Sequence, residues 1–227
     1  MENKKILNKI PENLKQTFVD CINMALQDDL PRYLVEFKPD TTNGIPHQIG
    51  DWINTNIKNH ILSNNVKVIE FNRNNWKGKI IADIDNLMTF TVMRENRLNQ
   101  VRNEHREKPH YLQTTVTVLN ENFVAPKEQI SWFDDNNIFD EEMINQDFQN
   151  IFRGAINKND GYAHCVIVYN TDKNTLIDIN ILLLDKHLCE VDRISLNEYI
   201  KPDFSKLTDT IAEPEMDEVQ NSDLIGI

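Results

Sequence analysis

The chain has 227 residues, 40% hydrophobic and 26% charged, so it can bury a sizeable core and is not disordered as a whole. A net charge of −12 opposes general attraction to phosphate backbones, although it leaves room for a local basic groove. The three cysteines, Cys21, Cys165 and Cys189, form no close pair of the kind zinc and redox motifs use. Residues 1–16 lack the apolar stretch of a secretory signal, and no apolar run approaches the ~20 residues of a membrane helix, so a cytoplasmic protein is expected.

In chain order, Leu14, Phe18, Cys21, Ile22, Ala25 and Leu26 recur at helical spacing and predict a helix over 12–28, with Pro31 beyond its end. Ile49, Trp52, Ile53, Ile57 and Ile61 form the apolar stripe of a second helix over 47–62. The period then changes to two. Residues 66–71, 79–84 and 87–93 read as three strands of a meander, the last two joined by a tight turn at Asp85-Asn86. A polar helix follows over 95–107, then another within 110–123. There the run Thr114 to Val118 would also suit a strand, but Tyr111, Leu112, Thr115, Val118 and Leu119 keep helical spacing.

Residues 121–140 read as a loop, and 140–157 as a helix with an acidic first turn. Residues 162–170 and 176–184 are two strands apolar on both faces, which places them centrally in the sheet. Ser195 and Glu198 suit a capping box on a short helix over 195–200. The expected architecture is an α/β or α+β single domain over residues 1–202. It has about a five-stranded mixed sheet (a three-strand meander plus a two-strand hairpin) flanked by helices, with the N-terminal helices of residues 1–62 packed on it. Residues 203–227 are expected to be an acidic flexible tail.

Candidate chemistry is sparse. Asp83 and Asp85 on one strand, with Glu95 after the next, suggest the carboxylates of a Mg²⁺- or Mn²⁺-dependent nuclease acting on nucleic acid. Geometry opposes this. With the turn at Asp85-Asn86, Asp83 faces Met88, and continuing the ladder puts Glu95 opposite Trp76, roughly 20 Å from Asp83. Such sites also want a lysine where this chain has Arg97, which cannot serve as a deprotonable amine. The six histidines show no metal-binding pair, and no phosphate loop, nucleophile elbow or dinucleotide fingerprint occurs. The leading expectation is therefore no catalytic residue, no metal and no cofactor.

Two features suit binding instead. Arg94, Arg97, Arg102, Arg106 and Lys108, with Tyr111 nearby, make a basic stretch on an acidic chain, fit for phosphate, nucleic acid or an acidic partner. In the tail, Leu224, Ile225 and Ile227 follow a run of acids and suit docking on another chain. A third reading takes the acids Asp134, Asp135, Asp140, Glu141 and Glu142 as a mimic of nucleic acid. "MTFTVMRENR", "HYLQTTVTVLNENF", "AHCVIVYN" and "INILLLDKHLCEVDRISLNEYI" together resemble an uncharacterised domain-of-unknown-function family of low-GC Gram-positive bacteria and their mobile elements, over about residues 45–200. The resemblance carries no catalytic motif, and it implies a setting in phage defence or a toxin–antitoxin pair. The function expected is that of a non-catalytic macromolecule-binding protein, with a protein partner foremost, nucleic acid through 94–108 second, and no membrane.

Overall fold

A computed structural model describes residues 6–61, 65–73, 76–126 and 139–201. The expectations placed on Leu224, Ile225 and Ile227, and on Asp134 and Asp135, lie outside the described residues.

Helix α1 (Glu12–Met24) buries Leu14, Phe18, Val19, Cys21 and Ile22, as their spacing dictates. It does not stop before Pro31. A π-helical segment, Ala25–Asp29, carries it into α2 (Leu30–Phe37), with the Leu30 N–H reaching back to the Ala25 carbonyl. Pro31 is the second residue of α2, directly after the π segment, so the bond its missing N–H forfeits falls at this junction. Helix α3 (Ile45–His60) also carries a proline in its first turn and buries Ile49, Ile53 and Ile57.

Among the described residues the sheet has six strands, one more than expected: β1 (Val66–Arg73), β2 (Trp76–Asp83), β3 (Met88–Arg94), β4 (Ala163–Asp172), β5 (Thr175–Leu184) and β6 (Glu190–Ser195). They lie side by side in sequence order, antiparallel except for the parallel pair β3–β4, which makes the sheet mixed. Helices α4 (Glu95–Asn103), α5 (Tyr111–Leu119) and α6 (Glu141–Phe152) form the crossover from β3 to β4. Strand β6 escapes a period-two reading because a bulge sets Glu190 opposite Leu184 but Asp192 opposite Leu183. Val191 and Ile194, three apart, therefore both pack on the same core. The expected helix over 195–200 shrinks to a single 3-10 turn, Asn197–Tyr199, without the capping box; Ser195 Oγ accepts from the Asn197 N–H.

Each face of the sheet has its own core. Helices α1 and α3 cover Ile81, Phe90, Cys165, Ile167 and Leu183, with the Phe18 and Phe90 rings 5.3 Å apart. On the opposite face α4, α5 and α6 cover Phe71, Ile80, Val166, Val168 and Leu182. The alternation along β4 puts Cys165 on the first face and His164 on the second. The result is an α+β chain in three layers, helices on both sides of one sheet.

One irregularity positions the site. Strands β1 and β2 pair along their whole length, from Val66↔Asp83 to Arg73↔Trp76. Strands β2 and β3 pair only at Asp83↔Met88, Ala82↔Thr89 and Ile81↔Phe90. The register at the turn is the expected one, but the ladder stops at Phe90, and the continuation that would set Glu95 opposite Trp76 does not form. The outer end of the β1–β2 hairpin thus leaves the sheet, and Tyr111 joins the two parts. Its ring lies 5.4 Å from that of Phe71 and 5.2 Å from that of Trp76, while its side chain hydrogen-bonds Thr91 on β3.

Candidate functional site

The chain between α4 and α5 passes this parting of the strands. Helix α4 ends at Asn103, earlier than the expected 107, because Glu104 turns to an extended conformation. Pro109 then disfavours helix in the residue before it, and α5 starts afresh at Tyr111. His110 is the N-cap of α5, and its Nδ1 accepts the Leu112 N–H at 3.2 Å. An accepting Nδ1 carries no proton, so the ring is neutral, with its proton on Nε2.

The surroundings enforce that neutrality. Burial, then the positive charges of Arg106, Arg97 and Arg73, pull the His110 pKa down to about 3. Three guanidiniums from three parts of the chain thus act on one imidazole at the N-terminus of a helix, an end that is itself partly positive. Two carboxylates oppose them. Asp147 on α6 takes the Arg73 Nε at 3.2 Å, and Glu104 is bonded by Arg106 and lies 3.9 Å from Arg97. Arg73 also donates to the Pro109 carbonyl at 2.7 Å, tying the hairpin to the connection. Arg106 Nε is buried and, among the described residues, has no hydrogen-bond partner. Three guanidiniums against two carboxylates, beside a helix N-terminus, leave a local excess of positive charge that suits an anionic group.

The basic residues singled out in the sequence are therefore sorted by the structure. Arg97 and Arg106 join the cluster, Tyr111 lies beneath it with its hydroxyl pKa pushed up to about 12 by burial, and Lys108 is exposed in the same connection. Arg106 lies past the end of α4 and so does not share a helix face with Arg102. Arg102 donates to the Leu188 carbonyl at 3.0 Å and to Asn99. Arg94 pairs in register with Tyr169 and hydrogen-bonds its side chain, on the opposite face of the sheet. Sequence reasoning singled out neither Arg73 nor His110. The Arg73↔Trp76 pair at the hairpin's end was a readable signal, but the parting of β2 from β3 was not.

The three candidate metal carboxylates are not brought together. Asp83 accepts from the Asn86 N–H and side-chain amide, so it shapes the turn, and Asp85 takes the Asn65 amide. Glu95 stands at the other end of β3, roughly 20 Å away, bonded by Asn170 and 3.8 Å from Arg193. Among the described residues no three His, Cys, Asp or Glu side chains form a metal-binding group. Near Asp83, a cavity of about 230 Å³ is lined by Lys9, Asn86, Glu121, Lys158 and Tyr162, and Lys158 pairs with Glu121 across 3.4 Å. The acids Asp140, Glu141 and Glu142 sit at the N-terminal end of α6, where Asp140 caps the helix by accepting from the Glu142 N–H. No described helix is long and apolar enough to cross a membrane.

Compared with known proteins, a family described as a family of unknown function (DUF5986) matches residues 7–227, which takes in the first helix and the acidic C-terminal segment that the resemblance above leaves outside. No curated protein and no solved structure matches the chain.

Proposed function

We propose, for a chain that belongs to this family of unknown function, a non-catalytic role: it binds an anionic macromolecule through the face formed by Arg73, Arg97, Arg106 and His110. The observation that carries the reading is His110, held neutral as a helix cap within the charge of three guanidiniums, on a chain of net charge −12. Concentrating like charge is unfavourable by itself, and a bound anion relieves it. An acidic protein surface and a nucleic acid both meet that description. The phage-defence or toxin–antitoxin setting, and an origin among low-GC Gram-positive bacteria and their mobile elements, rest on the sequence resemblance alone. Nothing in the geometry favours the metal-dependent nuclease, whose carboxylates Asp83 and Glu95 stand at opposite ends of β3.

The test is titration of the full-length chain with labelled heparin at low salt. The expected result is binding whose log K falls linearly with log salt concentration, weakened roughly tenfold or more in Arg97→Ala with Arg106→Ala. Failure of the chain to bind heparin, or unchanged binding by the double variant, would overturn the proposal.

A further inference from the structure

The hairpin end that leaves the sheet carries Trp76, which is 46% exposed. An exposed tryptophan is usually loose, but this one is held. Its indole stacks on Tyr111 at 5.2 Å and 22° between planes, and the Phe71 ring meets it edge-on at 5.5 Å. Gly78, on the same face two residues on, leaves the necessary room: a Cβ there would come within 2.5 Å of Phe71 Cζ and 2.7 Å of Trp76 Cη2. One face of the indole is thus seated on Tyr111 while much of the side chain meets solvent. Tyr111 also lies in the field of Arg97 and packs against His110, with ring centroids 4.3 Å apart, and Arg73 is the direct cross-strand neighbour of Trp76. A fixed flat aromatic surface therefore borders the guanidinium cluster.

We propose that this face is a binding site for single-stranded nucleic acid, with Trp76 stacking one base and Arg97 and Arg106 holding the adjoining phosphates. The inference rests on the anion-binding reading above and names its ligand. An acidic protein would use the arginines, whereas a flat indole seated on Tyr111 beside them also matches the π-face that every unstacked base presents. A duplex offers phosphates, but its base faces are already stacked on one another, so none lies down on Trp76. Arg73, committed to Asp147 and the Pro109 carbonyl, acts as a positioning residue that anchors the hairpin beside the cluster.

The experiment titrates the full-length chain with an oligothymidine, an abasic oligomer carrying the same phosphates, and a duplex, following tryptophan fluorescence and salt dependence. Trp52 and Trp132 also emit, so the signal is read against Trp76→Phe and Trp76→Ala. The oligothymidine is expected to quench the emission and to bind roughly 5- to 100-fold more tightly than the abasic oligomer, and Trp76→Ala to abolish that difference. Replacing Arg97 or Arg106 by alanine should reduce the slope of log K against log salt by about 0.7 each. The comparison with the abasic oligomer needs no variant, so it holds even where Trp76→Ala fails to fold. Equal binding of abasic and base-bearing oligomers, or tighter binding of duplex, overturns the stacking inference and leaves the anion-binding reading standing. Binding of heparin but of no nucleic acid also overturns the inference alone, and failure to bind heparin overturns both.

Discussion

His164 is fully buried, with Nδ1 2.8 Å from Thr89 Oγ1 and Nε2 3.1 Å from Thr91 Oγ1. Thr89 in turn donates to the Ala163 carbonyl at 3.5 Å, which can only accept. Each ring nitrogen thus faces a threonine hydroxyl, and a hydrogen bond between Thr91 and Tyr111 extends the network to α5. Burial pulls the His164 pKa down to about 3, from 6.5. The folded-state pKa is depressed, so below the unfolded value the unfolded chain takes up a proton that the folded chain refuses. The stability is therefore complete above about pH 6.5 and is lost as the pH falls toward 3, by about 2 kcal/mol at pH 5. Urea unfolding of His164→Gln should show a shallower loss of stability between pH 7 and 5 than the parent. Equal slopes would contradict the assignment. None of this was legible in the sequence, where His164 is one of six unpaired histidines, because a buried network depends on which strands become neighbours, and β3 and β4 lie more than sixty residues apart.

At the scale of elements, Asn120 joins α5 to the sheet. Its side-chain amide donates to the carbonyls of His164 (2.8 Å) and Leu184 (2.7 Å) and accepts the His164 N–H at 2.7 Å, just beyond the last β4–β5 pair, Cys165↔Leu183. The amide continues the ladder where the two strands part, with every donor and acceptor used and the residue fully buried. Asn120→Ala leaves three buried backbone groups unpaired, and a loss of roughly 3–5 kcal/mol is expected by urea unfolding. A change below about 1 kcal/mol would show that water or a shift of the backbone replaces the amide. The helices and apolar strands were legible because periodicity reports a buried face. Strand β6 was not, since its bulge breaks the alternation, and neither was the passage through Pro31, since a π turn is invisible in apolar spacing.

For the whole molecule, the charge is unevenly spread. Residues 203–227 hold seven acids and one lysine, a net −6, which is half of the total −12. The overall sign therefore says little about the face around His110, where sequence-distant Arg73, Arg97 and Arg106 act together. Two members of that face came from a basic stretch visible in the sequence, while the third came from a hairpin end that departs from the sheet, a tertiary event that local pattern does not encode. The most direct measurement is an NMR titration of the His110 imidazole in the full-length chain, assigned with His110→Gln, without and with saturating heparin. The account predicts a free-state pKa far below 6.5 that rises when the polyanion offsets the charges of Arg73, Arg97 and Arg106. An imidazole that titrates near 6.5 in the free protein, or one that heparin leaves unmoved, would contradict it.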